Sequence, residues 1–132
     1  MGYSLTEGEL DPPAEASLVD GLSARLGVAL PKDYTDFLKE HNGGEGFIGD
    51  SYIVLFKAEE LVQFNIEYEV EKYAPGILLF GSNGAGEGYG FDTDDAAMPI
   101  VQIPFIGMDR RYADIVARDL ADLFARLEED LE

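Results

Sequence analysis

The chain reads as an α+β protein: one compact domain with a central, mainly antiparallel sheet of about five strands and helices packed around it. Three observations predict this. The sequence has 132 residues, 46% of them hydrophobic, enough for one sizeable core. Segments with helical spacing open and close it, while short β-branched and aromatic runs fill the middle. The links between the later runs are too short for helical crossovers, so those strands must pair antiparallel.

In chain order, residues 1–11 read as a loose lead-in, and the domain is expected over 15–132. "DPPAEASLVDGLSARLG" predicts a first helix capped by Asp11, with Leu18, Leu22 and Leu26 on one face and Gly27 ending it. "LPKDYTDFLKEHNGGEG" predicts a second, opened by Pro31. There Tyr34, Phe37, Leu38 and His41 fall at i, i+3, i+4 and i+7 before Asn42-Gly43-Gly44 stops it. "SYIVLF" reads as a buried strand. "KAEELVQFNIEYEVEKY" returns to helical spacing along Leu61, Phe64 and Tyr68, and Pro75-Gly76 ends it. "GILLFGS", "GYGFD" and "MPIVQIPF" are three further strands. "RRYADIV" is ambiguous between helix and strand; its alternation of Tyr112, Asp114 and Val116 favours a strand. Asp119 then caps a last helix with Leu120, Leu123, Phe124, Leu127 and Leu131 along its core face.

Charge narrows the possible partners. The chain carries 27 acidic residues against 9 basic ones, a formal net charge of −18. Nucleic acid and anionic lipid are repelled by such a field, because both are held through clustered Lys and Arg. Basic proteins are attracted. From Glu40 to Asp109 carboxylates recur and only Lys57 and Lys72 answer them. No apolar run approaches the roughly 18 residues a membrane span requires. The acidic N-terminus lacks the features of a secretory signal, and cysteine is absent, so the protein reads as cytoplasmic.

The stretch "FGSNGAGEGYGFDTDD" invites two readings that its residues reject. Gly81 and Gly86 have the spacing of a phosphate loop, but Glu87 stands where lysine must meet the phosphate. A dinucleotide fingerprint needs a helix after the glycines, and "YGFD" reads as a strand. Asp92, Asp94 and Asp95 begin like a calcium loop, yet its sixth position is Ala97 and its twelfth Ile103, so no metal site is expected. His41 is the only histidine and suits the negative end of its helix, which leaves a nucleophilic triad without a base. The stretch therefore reads as a hairpin with carboxylates at its turn and strand end, where binding residues are commonly displayed. No catalytic residue and no cofactor are expected.

The motifs together resemble the SUKH superfamily, named for the yeast Smi/Knr cell-wall regulators and their bacterial relatives. The likeness rests on "LGVALPKDYTDFLKEHNGGEG", on "ILLFGSNGAGEGYGFD" followed by "PIVQIPF", and on "IVARDLADLFARL", spanning residues 15–130. It implies an α+β domain with a central sheet and no enzymatic role. Many bacterial members of that group are immunity proteins that bind and neutralise a toxin domain, frequently a nuclease. The yeast members are regulators or scaffolds without a toxin partner. Relatives often carry a tryptophan near the first strand; here there is none, and Phe47 and Tyr52 are expected to fill its packing role. An acidic inhibitor can occupy a nuclease's basic cleft by charge complementarity. Carried onto this chain, the candidate partner-binding residues are Glu45, Glu87, Tyr89 and Asp92, with Tyr89 as an aromatic anchor. Asp94 and Asp95 extend the surface on charge alone. Asn42, Gly43, Gly44, Gly81, Gly84 and Gly86 are expected to shape the loops.

Overall fold

Every strand of the sheet lies beside its neighbour in the chain. The computed structural model describes residues 6–129 and forms a seven-stranded antiparallel meander. Its strands are β1 Thr6–Leu10, β2 Gly44–Ile48, β3 Ser51–Leu55, β4 Ile77–Ser82, β5 Glu87–Asp92, β6 Ile100–Pro104 and β7 Asp114–Ala117. The helices are α1 Ala16–Leu26, α2 Lys32–Glu40, α3 Leu61–Glu67, α4 Val70–Tyr73 and α5 Leu120–Glu129. The α+β class is as expected, with two more strands than the sequence predicts.

Both extra strands sit where apolar patterning is weak. β1, inside the presumed lead-in, pairs with β2 through Glu9↔Glu45 and Leu10↔Gly44. β2 starts on a glycine that reads as helix punctuation. A Cβ on Gly44 would lie 2.5 Å from the Glu9 carbonyl oxygen, so the β1–β2 approach needs glycine there. Phe47 and Tyr52 face each other across β2–β3 with ring centroids 5.0 Å apart.

α1 starts later than expected. Glu15 occupies its N-cap position with no side-chain bond, whereas the Asp11 N–H donates to the Gly43 carbonyl and continues the β1–β2 connection. Val19 and Leu22 are buried, with Leu18 and Leu26 packed at the margin. Gly27 ends the helix in the left-handed region at φ 73°. α2 buries Tyr34, Phe37 and Leu38 as predicted, but His41 lies just past its last turn in extended conformation. Its Nδ1 sits 3.3 Å from the Asp11 carbonyl oxygen.

The single helix expected over 57–73 is broken. A 3₁₀ turn, Ala58–Glu60, leads into α3, and Glu69 in the left-handed region (φ 52°) separates α3 from α4. Burial explains the break. Leu61 and Val70 are both buried, yet at about 100° per residue one straight helix would turn them to opposite sides. Asn65 anchors α3 to the edge of β4: its amide donates to the Leu79 carbonyl at 3.0 Å and accepts the Leu79 N–H at 2.8 Å, as a neighbouring strand would.

Alternation along β5 separates the two faces of the sheet. Phe91 points to α2, meeting Tyr34 at 5.2 Å between ring centroids and Phe80 at 4.6 Å. Phe37 of α2 meets Phe124 of α5 at 6.2 Å. On the other face, a Cβ at Gly88 would lie 2.8 Å from the Phe105 ring, which stacks on Tyr68 at 4.4 Å. Among the described residues the Tyr34 hydroxyl is buried without a hydrogen-bond partner.

The ambiguous "RRYADIV" divides: Arg110–Tyr112 form a 3₁₀ turn and β7 follows. Asp119 does cap α5, accepting from the Asp122 N–H at 2.8 Å. Asp33 of α2 accepts the Leu120 N–H at 2.9 Å, a second cap supplied from the tertiary fold. Leu120, Leu123 and Phe124 are buried, Leu127 is half-buried, and Leu131 lies outside the described residues.

Candidate partner-binding surface

β5 carries most of the candidate residues, and its geometry divides them. Glu87 and Asp92 stand at its two ends, about 17 Å apart at ~3.4 Å per residue. Five positions of alternation also turn them to opposite faces. They cannot belong to one small contact.

At the Glu87 end the polar groups are closely knit. The β4–β5 turn is built by Asn83, whose Oδ1 accepts the N–H groups of Ala85 at 2.8 Å and Glu87 at 3.2 Å. The Asn83 side-chain amide donates to Glu87 Oε1 at 2.9 Å, and Gln102 Nε2 of β6 donates to the same oxygen at 2.9 Å. Glu87 is thereby held half-buried, and among the described residues no cation pairs with it. Nearby, the Tyr52 hydroxyl donates to Glu45, which is exposed and also lacks a cationic partner among the described residues. That bond pushes the Tyr52 phenol above its ordinary pKa. Tyr52 also lies against the hairpin tip at Gly84. The register Glu45↔Val54↔Ser82↔Gly88 nonetheless puts Glu45 and Tyr52 on the sheet face opposite Glu87 and Tyr89.

Tyr89 departs from its expected role. It is 3% exposed and forms the floor of an open groove instead of projecting as an anchor. The groove, ≈ 390 Å³, runs between Gln102 of the sheet and Leu123 and Leu127 of α5. It adjoins a hollow of ≈ 240 Å³ beside Ser51, Tyr52 and Asn83.

The Asp92 end is internally neutralised. Arg110 Nη2 bonds Asp92 Oδ1 at 2.6 Å and lies 3.7 Å from Asp94, while its Nη1 donates to the Pro75 carbonyl at 2.9 Å. The guanidinium pKa is raised, chiefly by the Asp92 bond. Asp92 also accepts the Asp94 N–H at 3.1 Å, and Asp95 accepts the Ala97 N–H at 2.9 Å, so both carboxylates fold the β5–β6 turn. Asp94 and Asp95 themselves are exposed. Among the described residues no cluster of three or more acidic or histidine side chains is arranged to hold a metal ion.

The loop-shaping candidates differ among themselves. Gly84 and Gly86 take positive φ in the β4–β5 turn, as does Gly43 before β2. Gly44, also at positive φ (140°), and Gly81 lie within β2 and β4. Asn42 holds the 3₁₀ turn, accepting the Ala58 N–H at 2.7 Å and donating to Glu59 at 2.8 Å. This bond is the main cause of the lowered pKa of Glu59. Sequence reasoning missed Tyr52, Asn83 and Gln102 as members of the surface. Gln102 carried a usable signal, since it is the one polar side chain in the apolar run "PIVQIPF".

Fold and surface together define a small α+β domain in which a sheet meander presents an open groove beside α5, lined by Tyr89, Gln102, Arg126 and Glu129 among others. The model of the SMI1/KNR4 family (SUKH-1) matches residues 13–126, and the chain belongs to that family. It is similar to an uncharacterized protein, YnaB, of Bacillus subtilis (strain 168), with 34% identity over 82 residues, 62% of this chain. The match spans about half of that relative, 52% of its length. No helix among the described residues is long and apolar enough to cross a membrane.

Proposed function

We propose that this protein is a non-enzymatic, cytoplasmic binding module, an immunity protein that holds and neutralises a cognate toxin domain with a basic, nuclease-type cleft. The observation that carries the reading is Glu87. It is a carboxylate held in place by two side-chain amides and left without a cation among the described residues. A pre-positioned acceptor of this kind gains most from a partner's Arg or Lys, because its ordering is already accomplished in the free protein. Glu45, held by Tyr52, gives a second such acceptor on the neighbouring hairpin. The net charge of −18 supports the same class of partner, since it accelerates encounter with a basic protein.

In this reading Glu87 meets a basic side chain of the toxin, the Tyr89 groove receives its apolar contacts, and Glu45, on the other face of the sheet, adds to the attracting field. Asp94 and Asp95 contribute to the field at longer range. The test is a titration of purified protein with the basic product of a neighbouring gene, at low and at high salt. Tight binding that weakens with salt and blocks the partner's nuclease activity is expected. Binding to a cellular protein with no toxic activity would replace the reading with that of a regulator or scaffold. Turnover of a substrate by the chain alone would overturn it.

A further inference from the structure

The polar end of the Tyr89 groove distinguishes between the two kinds of basic side chain. Both side chains that hold Glu87 donate to one oxygen: Asn83 Nδ2 and Gln102 Nε2 each lie 2.9 Å from Oε1. The Asn83 amide is fixed in this sense, because its Oδ1 already accepts the Ala85 and Glu87 N–H groups. A carboxylate oxygen offers two lone pairs, so Oε1 is filled. Oε2 receives no hydrogen bond among the described residues. Arginine gains its advantage over lysine by setting two parallel N–H groups on the two oxygens of one carboxylate. That fork is closed at Glu87. What remains is a single acceptor atom, which suits the point charge of an ammonium group.

The surroundings suit the rest of a lysine. Strand register places Ser51, Glu87, Tyr89 and Gln102 on one face of the sheet. The hollow of ≈ 240 Å³ on that face is lined by Ser51, Asn83, Tyr89, Gln102 and Leu127 among others. The Ser51 hydroxyl makes no hydrogen bond among the described residues, and the Gln102 carbonyl oxygen accepts none. Both are neutral acceptors for the remaining N–H groups of an ammonium. Tyr89 and Leu127 give its four-carbon stem an apolar wall. The chain's own nearby cation does not compete: Arg126, in the adjoining groove, is bonded to Asp122 at 2.9 Å.

We propose that this hollow seats one lysine side chain of the partner, selected over arginine, with its ammonium on Glu87 Oε2 and its stem along Tyr89 and Leu127. The proposal rests on the reading of Glu87 as the carboxylate that a basic partner meets, and it names the residue that meets it. Asn83 and Gln102 determine the selectivity, because they fill Oε1 and leave Oε2 open.

The test uses the intact, isotope-labelled chain and two probes, Nα-acetyl-lysine amide and Nα-acetyl-arginine amide. Each is titrated at constant ionic strength, so that screening of the acidic field is equal in both. The side-chain amide resonances of Asn83 and Gln102 report on the hollow directly. Saturable shifts of both are expected, with the lysine probe acting at concentrations about three- to tenfold lower than the arginine probe. Glu87→Gln should abolish them. Gln102→Leu frees a lone pair of Oε1 for the fork, and read at the Asn83 amide it should bring the arginine probe level with lysine or ahead of it. A lysine preference that survives this change overturns Oε1 as its source. Equal affinities or tighter arginine binding in the native chain overturn the lysine seat. So do shifts spread over the acidic surface with none at Asn83 and Gln102, which would mean binding by net charge alone. The outcome is separable from that of the toxin titration. A chain that takes the lysine probe as described but binds no toxin keeps the seat and loses the immunity role. One that binds a toxin without preferring lysine keeps the role and loses the seat.

Discussion

The two ends of β5 carry the same kind of side chain and put it to opposite uses. Glu87 at one end is fixed by two neutral amides and keeps its charge unanswered among the described residues. At the other end Asp92 is 18% exposed and bonded to Arg110, which ties the β5–β6 turn to the Pro75 carbonyl. A carboxylate held by a cation within its own chain has little left for a partner. One held by amides is ordered and still charged. In a protein with 27 acidic residues, what marks a candidate binding carboxylate is the kind of group that holds it, because acidity alone is everywhere.

Charge reversal at the unanswered end should break partner binding most. Glu87→Lys is expected to cost on the order of a hundredfold in affinity for the basic partner, read by calorimetric titration. Asp94→Lys with Asp95→Lys should cost about tenfold or less, through loss of the long-range field. Equal losses from the two variants would erase the distinction between the ends.

Stability should respond the other way. Arg110→Met leaves Asp92 partly buried without its cation, and a loss of about 1–3 kcal/mol is expected in denaturant unfolding, with partner affinity unchanged. Acid should sharpen the same contrast. Asp122 is held by the Arg118 N–H and by Arg126, and Glu59 chiefly by Asn42; both carboxyls lie below their ordinary values of 3.8 and 4.5. Their contribution is fully present above those values and is lost as pH falls through the lowered native ones. Unfolding free energy measured down the acid range should decline, and Asp122→Asn should flatten the decline.

The smallest effect concerns an uncharged group. The Tyr34 hydroxyl is buried with no hydrogen-bond partner among the described residues, and burial raises its pKa. Tyr34→Phe should leave stability unchanged or raise it by about 1 kcal/mol, since no bond is lost and a desolvation cost is removed. A clear loss of stability would mean that the hydroxyl has a bonded partner in the native protein.

Much of this was legible before folding, and the limits are instructive. The faces of α1, α2 and α5 follow from the spacing of their apolar residues, and β3 to β6 from their β-branched and aromatic runs. β1 and β2 escaped because "TEGEL" and "GEGFI" gain their strand character from each other's backbone. The break at Glu69 escaped because Leu61 and Val70 fit helical periodicity only locally; the need to bury both comes from the sheet. Among the candidate residues, Glu87 and Glu45 were proposed from the sequence and remain candidates, whereas the burial of Tyr89 was not legible there. It depends on its position on the face of β5 that lines the groove beside α5.

The sequence by itself determined what is local or summed over the whole chain: helix faces, turn residues, the acidic net charge and the family. Tertiary structure decided which carboxylates are answered and by what. Pairing at hydrogen-bond distance requires Gln102 to lie in register beside Tyr89 and Glu87, and Arg110 to return to the end of β5. Those meetings join residues 15 and 18 positions apart. No periodicity encodes such a separation; only the strand order brings the partners within reach.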